Sequence, residues 1–196
     1  MPNIRQELLQ RGQERIDAWL AANPRQPWVS VQVVPREGWR GPGVCAHYRN
    51  NVIHICPELC AAPGYAGRAW SWPGYVIDRT PFGVMAHELG HHVDWHNPIN
   101  PQRRGAYYSD MSRFTRATTG SAPLTGYCPN DWEWFAEMFR LYVTNPDLLW
   151  NVRPRVYTAL KDNFNTVEPE LDWRTVLREA PLRTLTAAEK KVLNAG

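Results

Sequence analysis

The chain has 196 residues, of which 43% are hydrophobic and 21% are charged, and this length and composition are typical of one globular domain. Its formal net charge of +3 is too small, and its charges are too scattered, to indicate nucleic-acid binding. No window approaches the run of about 18 apolar residues that a membrane span needs, and residues 1–7 lack the apolar core of a signal peptide. We therefore expect a soluble domain with no membrane span and no Sec-type export signal.

The first third of the chain predicts one helix, one strand and a β-hairpin. Residues 3–22 place apolar side chains at helical spacing before an Asn-Pro pair, and residues 28–34 alternate as in a strand. Residues 44–49 and 52–56 predict the hairpin, because Asn50-Asn51 between them tolerates the positive φ angles of a type I′ turn. The register that this turn sets assigns one face of the hairpin to the core. That face carries Val44, Ala46, Tyr48, Ile53 and Ile55.

The other face of the hairpin carries Cys45, His47, His54 and Cys56, with the histidines opposite each other and the cysteines opposite each other. Three interpretations stay open: a second Cys/His metal site completed by Cys60, a Cys45–Cys56 disulfide, or free thiols and histidines. The metal site is not favoured, because a flat hairpin face does not converge on a tetrahedron without such a loop residue. The disulfide is weakened because a hydrogen-bonded strand pair separates the Cβ atoms unfavourably.

Two stretches rich in turn-forming residues separate the predicted elements. Residues 57–80 contain many Pro, Gly and aromatic residues, including Trp70 and Trp72, and either rim a substrate cleft or cover the core. Residues 98–129 predict a long surface connection with one short helix around residues 108–115.

The most informative stretch is residues 85–95, which contains His-Glu-x-x-His. On a helix, residues four apart share a face, so His87 and His91 would present both imidazoles to one metal ion. Zinc suits two neutral imidazoles, and two histidines with one further ligand leave an open position for water, as in a catalytic site. Glu88 would then lie beside the metal ion, where it can act as a general base. The alternative is a chance match on a buried helix whose histidines are satisfied polar core residues.

The sequence around this motif predicts a helix with defined ends. Thr80 is an acceptable N-cap, a proline fits the first helical position, and an Asn-Pro pair follows His96. Asp94 lies three residues after His91 on the same face, and we expect it to orient that histidine. We expect His92 and His96 to be polar helix-face residues, because the spacing does not match the third histidine of metzincins.

A second helix is predicted from Asn130 or Asp131 to Thr144, where another Asn-Pro pair ends it. Glu133 and Glu137 are four residues apart within a strongly apolar sequence, where an unpaired carboxylate is costly to bury. A metal ion on the two histidines would supply the cation, with one glutamate as third ligand and the other accepting a hydrogen bond from a ligand histidine. The alternative is a solvated helix face that carries both glutamates.

These blocks resemble the lethal-factor-like zinc metallopeptidases, a gluzincin family named for the catalytic domain of anthrax lethal toxin. The resemblance rests on His87 to His91 and on Glu133 to Leu141, which is similar to the family's Glu-Phe-Phe-Ala-Glu-Ala-Phe-Arg-Leu segment. Leu124 to Tyr127 is similar to the family's Leu-Thr-x-Tyr. The resemblance covers roughly residues 44–145.

The resemblance implies a role for three further residues. It makes Glu133 the third zinc ligand, Glu137 a residue that orients a ligand histidine, and Tyr127 a donor that stabilises the transition state. The spacing from Tyr127 to Glu133 is one residue shorter here than in the toxin and includes Cys128-Pro129.

The implied fold is a single α+β, zincin-like metallopeptidase domain over residues 1–196. It has a small twisted sheet above the active-site helix and a second helix that carries the third zinc ligand. The catalytic core is expected at about residues 28–145, after the helix at 3–22, and a helical C-terminal part at about 146–196. The implied activity is hydrolysis of peptide bonds in extended protein segments by a zinc-activated water, with Glu88 as general base. If residues 52–56 form the edge strand, an extended substrate would add to it.

Two alternatives from other classes stay open. The chain could be a binding or structural component, such as a virion or toxin accessory, that keeps the fold without turnover, or a regulator whose metal site only stabilises it. Glu88 argues against both, because it serves no purpose in folding. A protein or peptide substrate is the expected partner, and a secreted toxin or a virion component is the setting left open.

Overall fold

The fold combines helices with a small mixed sheet, which makes it an α+β structure. The computed structural model describes residues 4–39, 44–60, 77–96, 110–122 and 130–167, together with single residues 124, 128 and 187. Within these residues the helices are α1 (Ile4–Ala22), α2 (Pro81–His96), α3 (Asp110–Thr119), α4 (Asp131–Thr144), α5 (Pro146–Val152) and α6 (Pro154–Lys161). The strands are β1 (Ser30–Val33), β2 (Ala46–Arg49) and β3 (Val52–Ile55).

The predicted elements are present, and their bounds differ by a few residues. Helix α3 ends four residues later than expected, at Thr119. Helices α5 and α6 form the described part of the predicted helical C-terminal region. Most of that region beyond residue 167, like the tryptophan-rich residues 61–76, lies outside the described residues.

Helix α2 lies at the centre of the fold. The hydroxyl of Thr80 accepts a hydrogen bond from the N–H of Gly83, and the carboxylate of Asp78 accepts hydrogen bonds from the N–H and hydroxyl of Thr80 at 2.8 and 2.7 Å. This capping confirms the predicted start of the helix. Every residue from Pro81 to Gly90 is buried, because α1, α4 and the sheet all pack against α2. The His-Glu-x-x-His motif is therefore held on a rigid, enclosed helix.

The sheet has the strand order β1-β3-β2. Strand β1 pairs with β3 in parallel, and β2 pairs with β3 antiparallel, so that His47 lies opposite His54 as predicted. The φ angles of Asn50 and Asn51 are 52° and 60°, which confirms the expected turn. Residues 52–56 do not form the edge strand of the sheet, which was the condition for an extended substrate to add to them. The long-range parallel pairing with β1 puts β3 in the middle, and β2 is the outer strand on the hairpin side among the strands that the structure describes.

Burial corrects the predicted division of the hairpin into two faces. Ala46, Ile53 and Ile55 are buried as expected, but Val44 is 41% exposed because it precedes the first residue of β2. Cys45 and Cys56, predicted on the face opposite the core, are also buried. The turn of 3-10 helix at Pro57–Leu59 folds back over this end of the hairpin, and Sγ of Cys45 lies 3.1 Å from the carbonyl oxygen of Leu59.

Helix α4 packs across α2 and carries the two glutamates. The side chain of Asn130 accepts a hydrogen bond from the N–H of Glu133 at 2.9 Å, which confirms the predicted N-cap. Every residue from Trp134 to Thr144 is buried. The two helices meet at Gly90, where an added Cβ would lie 2.8 Å from the Cα of Ala136. The lack of a side chain at Gly90 therefore permits the close approach of α4.

We expect Gly90→Ala to destabilise the fold by about 1–2 kcal/mol, because overpacking costs about 1–3 kcal/mol and the better helix propensity of Ala returns up to about 1 kcal/mol. The new methyl group meets backbone and not a flexible side chain, so the helices must separate. Urea denaturation measures the effect. Gly38→Ala is the matched control, because its Cβ would meet only Val34 at an ordinary 3.6 Å. Equal stability of the two variants would contradict the close packing of α2 against α4.

Candidate metal centre

Three side chains from α2 and α4 converge at one point. Nε2 of His87 lies 3.0 Å from Oε2 of Glu133, and Nε2 of His91 lies 3.5 Å from the same oxygen. Their ligand atoms all lie within 4.8 Å of one another, so this group could hold a metal ion. Of the His, Cys, Asp and Glu side chains that the structure describes, no other set of three brings ligand atoms this close together.

Local structure explains the convergence. His87 and His91 are one helical turn apart on α2, and their rings meet edge to face with centroids 4.9 Å apart. Glu133 lies in the first turn of α4, which begins at the Asn130 cap beside the cleft. Gly90, between the histidines in sequence, lets α4 approach α2 closely at Ala136, one turn beyond Glu133.

Glu137 lies behind His87, on the side away from Glu133. Its Oε1 is 2.7 Å from Nδ1 of His87 and accepts a hydrogen bond from Nη1 of Arg140 at 2.6 Å. Arg140 also donates from Nε to the carbonyl oxygen of Gly83 at 2.9 Å, which joins α4 to α2. A carboxylate at Nδ1 holds the ring with Nε2 directed at Glu133, an arrangement common behind metal-ligating histidines.

Arg140 was not among the residues singled out from the sequence. The sequence nevertheless indicates its role, because Arg140 follows Glu137 by three residues and lies on the same face of a largely apolar helix. Buried charges of this kind are paired, so the spacing could have identified Arg140 as the partner of Glu137.

The electrostatics of the group favour a cation between its members. Burial opposes the protonation of His87, but hydrogen bonds to Glu133 and Glu137 outweigh it and raise the pKa of His87 to about 9. Burial also opposes the ionisation of Glu133, and hydrogen bonds from His87 and His91 outweigh it and hold its pKa well below the usual range. The carboxylates thus stabilise positive charge at the imidazoles.

The converging side chains lie in a cleft of about 350 Å³. Strand β2 and the flanking residues Val44 and Asn50 line one side, and Trp95 and Trp132 are also part of the lining. Glu88 is buried, at 7% exposure, and lines the same cleft. No donor among the described residues makes a hydrogen bond to its carboxylate, so Glu88 stays available to a molecule in the cleft. The two tryptophans were not identified from the sequence.

The expected contact between Asp94 and His91 is wrong. Oδ1 of Asp94 accepts a hydrogen bond from the N–H of Ser112 at 2.8 Å, so this carboxylate holds the start of α3. Nδ1 of His91 is buried and has no hydrogen-bond partner in the part of the chain that the structure describes. Positions three residues apart share a helix face, but a backbone donor from α3 draws the Asp94 side chain to another side.

His92 and His96 connect α2 to the hairpin. Nε2 of His92 donates to the carbonyl oxygen of Pro27 at 2.9 Å, and its Nδ1 lies 3.1 Å from the hydroxyl of Tyr48. Nε2 of His96 lies 2.6 Å from Oδ1 of Asn51. His92 is fully buried and not on a polar surface, and burial, with His96 nearby, lowers its pKa to about 4. These contacts fix the position of β2 relative to α2.

The other residues singled out from the sequence are Tyr127, the four cysteines and the two histidines of the hairpin. Tyr127 lies outside the described residues, and its role stays a prediction. All four cysteines, Cys45, Cys56, Cys60 and Cys128, are free, so the Cys45–Cys56 disulfide is not formed. His47 and His54 stack with ring centroids 4.7 Å apart, on the sheet face where Trp39 covers His47.

Comparison of the chain with protein-family models, with curated proteins and with solved structures finds no match. None of the described helices is long and apolar enough to cross a membrane. The chemistry of the site is therefore the basis on which a function can be assigned.

Proposed function

We propose that this protein is a zinc-dependent endopeptidase with a zincin-like domain, related to the lethal-factor-like gluzincins. The observation that carries the proposal is the convergence of His87, His91 and Glu133 beside Glu88 in one cleft. A histidine pair that served only the core would not need three carboxylates around it. A non-catalytic role would leave Glu88 buried at the cleft without a purpose.

The donor set supports zinc in particular. Two imidazole nitrogens and one carboxylate oxygen form a common set of three protein ligands at catalytic zinc sites. Zinc bonds of about 2.0–2.2 Å in a tetrahedron put neighbouring ligand atoms roughly 3.3 Å apart. Oε2 of Glu133 lies 3.0 Å from Nε2 of His87 and 3.5 Å from Nε2 of His91, one distance below that value and one above it. Glu137 and Arg140 supply the support behind the ligands that such sites usually have.

A zinc ion and Glu88 would have different roles in peptide hydrolysis. A bound zinc ion would polarise the scissile carbonyl and lower the pKa of a water molecule at its open position. Glu88, which lines the cleft beside the histidines, takes the proton from the attacking water and delivers it to the leaving amine. Burial of Glu88 beside the histidines keeps this transfer away from bulk solvent.

The outer strand supports an extended peptide as the substrate. Strand β2 leaves one edge without a strand partner among the described residues, and it runs along the cleft from Ala46 to Arg49. A peptide in extended form adds to such an edge by main-chain hydrogen bonds. The rings of Trp95 and Trp132 offer apolar contact to one of its side chains. Flexible segments of proteins fit this cleft better than folded surfaces.

Tyr127 is expected to act on the transition state. Tyr127→Phe should keep zinc content and substrate binding and lower kcat by about 10²- to 10³-fold, the usual effect of losing one donor to a developing oxyanion. Steady-state kinetics on a peptide substrate measure the change, and Tyr157→Phe in α6 serves as the control. An unchanged kcat would mean that the shortened spacing before Glu133 turns the ring away.

The proposal is tested by metal analysis together with digestion of casein, an unstructured protein, with and without a chelator. We expect one zinc per chain, cleavage of casein, loss of cleavage with the chelator and its recovery when zinc is added back. Stoichiometric zinc with no turnover of any unfolded substrate would instead favour a binding or structural component.

A further inference from the structure

A second cluster of reactive side chains lies at the start of the outer strand. Cys56 donates its backbone N–H to the carbonyl oxygen of Cys45 at 2.9 Å, so the ends of the hairpin are paired. The 3-10 turn at Pro57–Leu59 then brings Cys60 back, with its Sγ 3.7 Å from the carbonyl oxygen of Cys56. Sγ of Cys45 lies 3.1 Å from the carbonyl oxygen of Leu59, the residue before Cys60, and the side chains of Cys45 and Cys60 interact. Two cysteines 15 residues apart in sequence are thus in contact.

A buried guanidinium completes the cluster. Nη2 of Arg79 lies 3.5 Å from Sγ of Cys45, and both side chains are buried. The hydrogen bond from Cys60 and the charge of Arg79 outweigh burial and lower the pKa of Cys45 to about 6. The same hydrogen bond, together with burial, raises the pKa of Cys60. The guanidinium of Arg79 therefore favours the thiolate form of Cys45.

The neighbouring Cys56 is in a different environment. Its Sγ lies 3.3 Å from a carboxylate oxygen of Glu58, and burial together with that carboxylate raises its pKa. A thiolate is the nucleophile in disulfide chemistry, and a thiol beside a carboxylate is a poor one. The charged neighbours thus distinguish Cys45, which lies beside Arg79, from Cys56, which lies beside Glu58.

We propose that Cys45 and Cys60 are a redox-active pair that a hydroperoxide converts to a disulfide. The Cys45 thiolate attacks one oxygen of hydrogen peroxide, the O–O bond breaks and hydroxide leaves, which gives a sulfenic acid. The sulfur of Cys60 then attacks Sγ of Cys45, the S–O bond breaks, and the hydroxyl leaves with the Cys60 proton as water. Overall, two thiols and one peroxide give one disulfide and two waters. The pairing differs from the cross-strand Cys45–Cys56 bond, and it is independent of peptidase activity.

The test is a map of disulfides in the whole protein after hydrogen peroxide treatment at pH 7 and blocking of the remaining thiols. Trypsin cleaves after Arg49 and releases Cys45, and cleavage after Glu58 separates Cys56 from Cys60. We expect the Cys45–Cys60 peptide to exceed the Cys45–Cys56 peptide by about tenfold. The selectivity comes from the thiol that resolves the sulfenic acid: the Cys60 side chain interacts with Cys45, whereas the Cys56 thiol lies 3.3 Å from a carboxylate oxygen of Glu58.

Two serine variants make the assignment specific. Cys60→Ser should abolish the disulfide and leave the sulfenic acid of Cys45 to be trapped by dimedone, whereas Cys56→Ser should leave the disulfide unchanged. A disulfide that requires Cys56 would overturn the proposal, and so would an unoxidised Cys45. A second zinc per chain that protects Cys45 and Cys60 from alkylation would also overturn it, because the pair would then be a metal site. The wild-type map decides the question if a variant fails to fold.

Discussion

Glu88→Gln is expected to bind zinc as tightly as the wild type and to lose about 10²- to 10⁴-fold in kcat/KM on an unstructured peptide, the contribution of a general base. The substitution keeps the size and polarity of the side chain but removes its ability to take a proton. Glu88 is not part of the group that could hold a metal ion, although it lines the same cleft. Zinc content and unfolding free energy should therefore stay unchanged.

The control is Glu14→Gln, which makes the same chemical change at an exposed position of α1. It should keep wild-type kinetics. Full activity of a zinc-loaded Glu88→Gln protein would contradict the role of Glu88, and another base would have to take the proton.

Glu133→Ala and Glu137→Ala should have different effects on zinc affinity. Glu133 faces Nε2 of both histidines, so its loss removes one of three ligands and should abolish tight zinc binding. Glu137 lies instead at Nδ1 of His87, on the other side of that ring. Its loss should weaken zinc binding about 10- to 100-fold, the usual effect of removing a partner of a ligand histidine. Zinc content after dialysis against graded chelator concentrations separates the two outcomes.

Removal of the Glu137 carboxylate also deprives the buried Arg140 of the acidic partner at 2.6 Å. Glu137→Gln keeps an acceptor for His87 and Arg140 and distinguishes loss of folding from loss of affinity. If Glu137→Ala is metal-free while Glu133→Ala keeps its zinc, the third zinc ligand is Glu137, one helical turn further along α4, and not Glu133.

Local signals in the sequence were sufficient for the elements that carry the candidate site. The N-caps Thr80 and Asn130 act through side chains on their own helices, and the spacing of His87 and His91 sets a shared face without help from the rest of the fold. The choice between Glu133 and Glu137 came from the resemblance to a family, since both lie on one face. The distances agree with that choice, because Glu133 lies at the Nε2 atoms and Glu137 behind one ring.

Contacts that cross large distances in the sequence could not be predicted in the same way. The position of β3 in the sheet depends on its pairing with β1, which alternation along either strand does not encode. The burial of Cys45 depends on the turn at Pro57–Leu59, and the direction of Asp94 on a donor from α3. In each case a partner far along the chain decides between conformations that local geometry permits equally.

The most direct measurement is the anomalous diffraction signal at the zinc absorption edge in crystals of the zinc-loaded protein. We expect one peak per chain in the cleft, about 2.0–2.2 Å from Nε2 of His87, Nε2 of His91 and a carboxylate oxygen of Glu133. A peak at the sulfur atoms of Cys45 and Cys60 with none at the histidines, or no bound zinc at all, would contradict the proposed metal centre.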